Sequence, residues 1–280
     1  MMKYVQGFTL FLCGCLSISS CNLEKEIDIQ LPNYEDEVFV ECYLVPNEPF
    51  RLLITKTSPY FDNLSLDNPL FSESFLLNGA QVSISQGLNK YELENTLQID
   101  PVNQKLYNYS NSNLVEYNIE DSIYLNILLS NGNHITASSI FLDTVPIDSI
   151  LVEFDQKDSL ARILTYFKDF PNETNFYRRV LMLGNNSDEP IQDFITDDLF
   201  VDSVFVFGSG YIFNSEDTVY NSIYHLTEEY HNFLESVQQA IDGSTNPFGV
   251  PSPLRSNLSG DAQGVFTCIS ESKNRTIVKK

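Results

Sequence analysis

Short runs in which apolar and polar residues alternate constrain this chain most, because a period of two is typical of half-buried β-strands. The runs lie at 38–45, 50–57, 81–85, 90–93, 122–129 and 134–140. Between the last two, Asn131-Gly132 has the composition of a tight hairpin turn. Strands at this spacing predict an antiparallel β-sandwich over residues 38–143.

A second β-rich part follows Asp143-Thr144-Val145-Pro146, where turn residues and proline mark a domain boundary. Its predicted strands lie at 149–154, 161–167, 175–183, 199–207 and 264–269. Apolar residues at three-and-four spacing predict an amphipathic helix over 221–241, ended by Asp242-Gly243. The expected fold class is mainly β. It has two β-sandwich domains (immunoglobulin- or fibronectin-like), at 38–143 and 144–280, and one amphipathic helix near the C-terminus.

The first 21 residues have the pattern of a secretory signal that ends in a lipobox. A weakly basic start at Lys3 precedes an apolar run, and Ser19-Ser20-Cys21 follows it. The run is too short to span a bilayer permanently, so we expect residues 1–20 to be removed and Cys21 to be lipidated. Cys15 is the alternative lipidation site, with a shorter apolar segment before it.

Acidic residues outnumber basic ones by 38 to 16, which gives a formal net charge of −22. That charge repels phosphate backbones, so nucleic-acid binding is not expected. The charge is compatible with cationic ligands or metal ions, but the favoured interpretation is that it keeps an exported protein soluble. Residues 21–37 are polar and acidic, which predicts a tether between the lipid on Cys21 and the folded body.

Beyond Cys21, the chain has two cysteines, Cys42 and Cys268. In an oxidising compartment they are able to pair, but one pair does not define a disulfide scaffold. Cys42 lies at an apolar position of the first alternating run, which favours a small core residue. A disulfide between Cys42 and Cys268 stays open as the alternative.

The predicted helix carries two histidines beside two glutamates. His225 and Glu229 are four residues apart, and Glu228 and His231 are three apart, so each pair shares a face of a helix. These four residues are the candidates for a divalent metal site, but the favoured interpretation is the polar face of an amphipathic helix, so no metal site is predicted. The sequence has no H-E-x-x-H or Cys-x-x-Cys motif, and we predict no catalytic residue and no cofactor.

A tripeptide of Asp, then Ser or Thr, then an aliphatic residue occurs six times. Its hydroxyl residues are Ser122, Thr144, Ser149, Ser159, Ser203 and Thr218. The pattern resembles the O-glycosylation signal of exported proteins in some bacteria, so these six are candidate glycosylation sites. The alternative is structural, because an Asp-Ser turn before a β-branched residue is an ordinary way to begin a strand.

Two stretches resemble a family of outer-membrane lipoproteins from Bacteroidota-type bacteria, described only as domain of unknown function 4249. They are Glu24–Lys56 and, near the end, Tyr230–Ile241, Asn246-Pro247-Phe248, Pro251, Ser256-Asn257 and Gly264-Val265-Phe266. The resemblance covers essentially the whole chain after the signal. It implies an outer-membrane lipoprotein, often encoded beside a TonB-dependent transporter, and it implies no activity.

The expected function is that of a non-enzymatic accessory or ligand-capture partner of such a transporter. A predicted loop at 58–79 carries several aromatic residues, which suits contact with a partner or a ligand. The alternatives are a structural scaffold of the envelope or surface and, less favoured, a hydrolase. A deep cleft between the domains would favour ligand capture, whereas a smooth surface with one apolar patch would favour the scaffold.

Overall fold

The part of the chain that the structure describes contains fifteen strands and one long helix. In strands such as the first and the sixth, buried and less buried side chains alternate. This computed structural model describes residues 37–57, 75–100, 105–157, 159–170, 173–184, 190–197, 204–245 and 252–280. The predicted signal, the predicted lipidation site Cys21, the predicted tether up to residue 36 and residues 58–74 of the predicted loop 58–79 lie outside these residues.

The first seven strands are β1 (Val38–Leu44), β2 (Pro49–Lys56), β3 (Gln81–Gln86), β4 (Asn89–Asp100), β5 (Lys105–Leu114), β6 (Ser122–Leu128) and β7 (His134–Ile140). The next six are β8 (Ile147–Phe154), β9 (Ala161–Lys168), β10 (Phe176–Leu183), β11 (Gln192–Asp197), β12 (Val204–Gly208) and β13 (Thr218–Leu226). Helix α1 (Glu228–Thr245), β14 (Ala262–Cys268) and β15 (Ser270–Ile277) follow.

Eight strands form one sheet that folds over on itself, in the order β14-β1-β2-β5-β4-β3-β6-β7. Strand β4 makes the turn between the two layers, because it pairs first with β3 and then with β5, with an irregularity between Asn95 and Gln98. The edge strands β7 and β14 meet where the backbone N–H of Cys268 donates to Oγ of Ser139 at 3.1 Å. The two layers therefore enclose one core, which includes Val40, Phe50, Leu52, Ile84, Ile123 and Phe266.

The second sandwich packs the sheet β11-β10-β13-β15 against the sheet β12-β9-β8. Its core includes Ile163, Phe167, Tyr177, Leu181, Val219 and Ile223. Four strands against three is the arrangement of immunoglobulin-like sandwiches. The predicted fold class, mainly β with two sandwiches and one helix, is confirmed.

The predicted bounds of the helix were wrong. Residues 218–226, which overlap the predicted helix 221–241, form β13 between β10 and β15, and the helix begins at Glu228 and runs past Gly243 to Thr245. Two neighbouring strands satisfy the backbone of β13 more completely than an isolated helical turn would. Thr227 caps the helix, since its Oγ1 accepts the backbone N–H of Tyr230 at 3.3 Å, and Glu228 and Glu229 complement the helix dipole.

Helix α1 packs against strands of both sandwiches. Its buried residues Tyr230 and Phe233 share a cluster with Val265 of β14 and Leu226 of β13. The cluster continues to Phe39 and Tyr43 on β1 and to Phe176 and Ile195 on β10 and β11. The helix thereby fixes a strand of the first sheet beside strands of the second.

The predicted boundary at 143/144 stays a prediction, and one strand does not follow it. β14 comes from the predicted C-terminal domain, yet it pairs in parallel with β1 and completes the first sheet. Residues after 35 group into one compact unit. In the described residues, no helix has the length and hydropathy that crossing a membrane requires.

Candidate ligand-binding cleft

The four metal-ligand candidates do not share one element, which corrects the prediction. His225 lies on β13, whereas Glu228, Glu229 and His231 lie on α1. Both ring nitrogens of His225 already face oxygens: Nδ1 lies 2.8 Å from the carbonyl of Asp143 and Nε2 lies 3.1 Å from Oδ1 of Asn175. Within the described residues, no group of three or more His, Cys, Asp or Glu side chains is placed to hold a metal ion.

His225 and Asn175 instead form the floor of a cleft between the two sandwiches. The cleft has a volume of about 510 Å³. Its lining combines residues of β6 and β7 with the segment before β10 and the junction of β13 and α1. These residues are Ser122, Ser138, Ser139, Ile140, Leu142, Glu173, Thr174, Asn175, Phe176, His225, Leu226, Thr227, Glu228 and Glu229.

A buried network holds this floor in place. The amide nitrogen of Asn175 donates to Oδ1 of Asp169 at 3.0 Å, and the hydroxyl of Tyr177 donates to the same oxygen. The rings of Phe170 and Tyr177 pack against His225, with centroids 5.4 and 5.3 Å away. Side chains fixed in this way give the cleft a floor that is formed before any ligand arrives.

Burial lowers the pKa of His225, while the Asp143 carbonyl and the carboxylates of Asp143 and Glu173 oppose that shift. The unfolded chain therefore binds the His225 proton more tightly than the folded chain does. Folding stability is expected to fall as the pH drops below about 6.5, because protonation then favours the unfolded state.

We expect His225→Gln to remove this contribution, which amounts to at most about 1.4 kcal/mol per pH unit. The measurement is urea unfolding of the wild type and the variant at several pH values between about 5 and 8. His134→Gln is the matched control, because His134 is exposed at the start of β7. Parallel pH curves for the wild type and His225→Gln would contradict the prediction.

A polar trough continues from the cleft across the outer face of the sheet β4-β3-β6-β7. It has a volume of about 550 Å³. Its lining residues are Ser83, Ser85, Lys90, Tyr124, Leu125, Asn126, Thr136, Ala137, Ser138, Asn257 and Ser259. Ser138 lines both the trough and the cleft, so the two concavities meet at this residue.

A third concavity lies between α1 and the edge strand β11, with a volume of about 560 Å³. Its apolar lining is Phe194, Ile195, Leu234 and Val237. Asp193 at its edge pairs with Arg178, whose Nε donates to Oδ1 of Asp193 at 2.8 Å. We refer to this concavity as the α1–β11 groove.

The candidate glycosylation residues occupy different environments. Ser122, Thr144, Ser149 and Ser159 are exposed, Thr218 is half-buried, and Ser203 lies outside the described residues. Ser122 and Thr218 are the first residues of β6 and β13, as the structural alternative predicts. Ser122 also lines the cleft, so a glycan on its hydroxyl would compete with a ligand there. Glycosylation stays a prediction.

Cys42 and Cys268 are buried free thiols in the core of the first sandwich. In the parallel ladder, Cys42 lies opposite Phe266, and Cys268 lies opposite Leu44 two residues further on. That diagonal separates their Cα atoms by about 8 Å, beyond the reach of a disulfide without backbone movement. The structure therefore does not contain the disulfide that the sequence left open.

Burial raises the pKa of both thiols, that of Cys268 to about 12. We expect neither thiol of the folded protein to react with Ellman's reagent near neutral pH, and both to react after unfolding in guanidinium, because only the accessible thiolate is nucleophilic. The absorbance of the released chromophore measures this. A disulfide-linked pair of peptides in a non-reducing digest would contradict it.

Fold and cleft together define a double β-sandwich protein with a concave polar surface at the junction of its sandwiches. The chain belongs to the family described as "Domain of unknown function (DUF4249)", whose model matches residues 24–275. This confirms the resemblance to domain of unknown function 4249, whose description names no activity. The outer-membrane lipoprotein part of that resemblance stays a prediction. No curated protein sequence matches this chain.

Two solved structures are similar over most of the chain. The crystal structure of chicken CNTN1 FN1-FN3 domains is 8% identical, with 87% of this chain and 67% of that chain covered and a TM-score of 0.29. A cytokine receptor complex is 8% identical, with 86% of this chain and 97% of that chain covered and a TM-score of 0.25. At these scores neither likeness carries an argument about function.

Proposed function

We propose that this protein is a lipid-anchored, non-enzymatic ligand-capture protein of the outer membrane and an accessory of a TonB-dependent transporter. The observation that carries the proposal is the cleft of about 510 Å³, to which both sandwiches contribute lining residues. Ligand sites are typically concave, largely preformed and located where domains meet. A cleft of this kind is the feature that separates ligand capture from a purely structural role.

The histidine on the floor of the cleft is not placed to act as a general base. A general base needs a nitrogen or oxygen that is free to take a proton from the substrate. His225 is instead engaged at both ring nitrogens, by the Asp143 carbonyl and by Asn175. Its role in the proposal is to support Asn175, whose amide closes the floor of the cleft.

The sequence around Cys21 supports the membrane anchor, and the family resemblance supports a TonB-dependent transporter as the partner. Lipidation of Cys21 would hold the body at a membrane, and two or three acyl chains anchor stably where one binds only reversibly. The proposed division of labour is that the sandwiches capture a ligand near the membrane and the transporter imports it.

The direct test fills the cleft. Thr174→Trp places a large side chain at an exposed lining position, and Ser130→Trp is the control in the exposed turn after β6. Both variants and the wild type are incubated with an envelope extract, repurified and analysed by native mass spectrometry. We expect a bound small molecule on the wild type and on Ser130→Trp but not on Thr174→Trp. Equal retention by all three proteins, or by none, would contradict ligand capture in the cleft.

The partner is tested by purification of the native lipoprotein from detergent-solubilised outer membranes. A TonB-dependent transporter at a stoichiometric ratio in the eluate, identified by mass spectrometry, is the expected result. Unchanged uptake through the neighbouring transporter after deletion of the protein would contradict the accessory role.

A scaffold that binds other envelope proteins is the second candidate, and the α1–β11 groove favours it. Phe194 in this groove is half exposed and lies beside Leu234 and Val237 of the helix. Exposed apolar surface of this kind is typical of protein contacts. Under the scaffold hypothesis, Phe194→Glu removes the partners from the eluate while Thr174→Trp leaves them in place.

A further inference from the structure

The trough on the first sandwich has small side chains along its floor and larger ones along its sides. Strand register places two rows of residues across the outer face of the sheet. One row is Lys90, Ser85, Tyr124 and Ser138, and the next is Glu92, Ser83, Asn126 and Thr136. The serines of β3 therefore lie between the longer side chains of β4 and β6, and this difference in length forms the concavity.

The floor of the trough has hydrogen-bonding capacity that the fold does not use. Ser83 is 6% exposed and lines the trough, and its hydroxyl makes no hydrogen bond to another described residue. The hydroxyl is not a fully buried polar atom, so water reaches it and a polar group of a ligand can take the place of that water. On the opposite side of the trough, Oγ1 of Thr136 is already bonded to Oγ of Ser259 at 2.6 Å. The unused capacity thus faces the space that a ligand would fill.

The trough is also neutral, in contrast to the chain as a whole. The chain has 38 acidic residues, yet the trough lining contains none and has one basic residue. That residue, Lys90, pairs with Glu92 beside the trough, with Nζ 2.5 Å from Oε1. Neither an anionic nor a cationic ligand would find an unpaired counter-charge in this lining, so the trough suits a neutral polar ligand.

Tyr124 adds an aromatic surface to these polar groups. It is 56% exposed, so much of its ring is open to solvent at the trough. A ring of this kind packs against the C–H face of a flat ligand while its hydroxyl bonds to polar groups. A ligand that fits this surface has an apolar face to pack against the Tyr124 ring and hydroxyl groups to bond to the serine, threonine and asparagine side chains.

An extended peptide fits this surface less well. Peptides usually bind sheets at an edge, where free backbone groups pair with them. Here the backbone groups of β3 and β6 are paired on both sides, β3 with β4 and β6, and β6 with β3 and β7. Only side chains are available on the outer face, so recognition depends on hydroxyl and amide groups and on the Tyr124 ring.

We propose that the trough and the cleft bind one extended ligand, a neutral oligosaccharide, which passes from one concavity to the other at Ser138. This inference rests on the proposed ligand-capture function and names its ligand class. Ser122 in the cleft and Asn126 in the trough lie four residues apart on β6, which is about 14 Å along the strand. A chain of several sugar units, rather than a single sugar, would contact both parts.

The test uses the lipoprotein in detergent micelles and isothermal titration calorimetry. The probes are four neutral hexasaccharides: cellohexaose, maltohexaose, xylohexaose and mannohexaose. We expect at least one to bind with a Kd below about 1 mM, and Tyr124→Ala to weaken it about tenfold. Ser83→Ala and Thr174→Trp are expected to weaken it as well. Leu128→Ala, at an exposed position of the same strand outside the trough, is the matched control and should leave the Kd unchanged.

Two results would overturn the inference. One is that none of the four hexasaccharides binds, and the other is that a bound hexasaccharide is insensitive to Tyr124→Ala. Its failure is distinguishable from that of the proposed function. If an envelope molecule that is charged or peptidic is lost from Thr174→Trp but kept by Tyr124→Ala, ligand capture stands and the oligosaccharide inference is wrong.

Discussion

Replacing Gly264 with alanine is expected to lower the free energy of unfolding by more than about 4 kcal/mol, the range of the most damaging single substitutions. Gly264 lies in β14 opposite Val40 of β1, with a φ of +120°. A Cβ at this position would lie 2.0 Å from the carbonyl oxygen of Val40. Because the obstacle is backbone, neither side-chain rotation nor solvent relieves the clash, and β1 and β14 have to separate.

A second glycine makes it possible to measure the cost of the backbone conformation separately from the cost of the clash. Gly132 in the β6–β7 turn has a φ of +89° and nothing within 4 Å of its Cβ position. Gly132→Ala should therefore cost only about 1–2 kcal/mol, the conformational term alone. Urea unfolding followed by circular dichroism compares the two variants with the wild type. Similar midpoints for both variants would show that the contact with Val40 is unimportant.

Hairpins were the part of the fold that the sequence predicted best. The pair β6–β7 was expected at 122–129 and 134–140 and is found at Ser122–Leu128 and His134–Ile140. Its signals are local, since the residues alternate between buried and exposed and an Asn-Gly turn joins them. Such signals require no knowledge of distant residues.

Strands whose buried positions are polar were missed. In β5, the buried positions include Asn108 and Ser110, so hydropathy does not mark the strand. Asn108 is buried because its amide bonds to both backbone groups of Ile54, accepting from N–H at 2.8 Å and donating to the carbonyl at 2.9 Å. Only the folded arrangement of β2 and β5 reveals this role.

The helix prediction failed because two periodicities fit the same residues. Ile223 and Leu226 belong to the helical pattern of 221–241, yet both are buried in β13. The signal that separates the elements is Thr227-Glu228-Glu229, a capping residue followed by two acidic residues at the true start of α1. Given more weight than the apolar spacing, this signal predicts a helix that begins at Glu228.

The candidate site was not predictable from local sequence, because residues far apart in the chain form it. Ser122 and Ser138 on one sandwich face Asn175 and His225 on the other.

Part of the motif that carried the family resemblance has a structural role. Asn257 bonds to both backbone groups of Phe266 in β14, at 3.0 and 2.7 Å, in the place of a neighbouring strand.

The second large loss of stability is expected when the hydrogen bonds of Arg179 are disturbed. It is 1% exposed, in the second sandwich, and burial lowers its pKa to about 10, so it stays charged at neutral pH. Neutral oxygens satisfy it: Nε donates to Oδ1 of Asn221 and Nη1 to Oε1 of Gln192, each at 3.2 Å. Asn221 also donates to Thr165 at 2.8 Å. A buried cation held this way depends on every acceptor, because water cannot replace a lost one.

Asn221→Leu should therefore cost about 3 kcal/mol of unfolding free energy, since it leaves a buried charge short of an acceptor. The double variant Arg179→Met, Asn221→Leu should be more stable than Asn221→Leu alone, because an apolar side chain of similar length removes the charge that needed the acceptor. Urea unfolding of both single variants, the double variant and the wild type completes a double-mutant cycle. If the two single losses simply add in the double variant, Asn221 does not stabilise the Arg179 charge, and the cost of Asn221→Leu is only that of repacking.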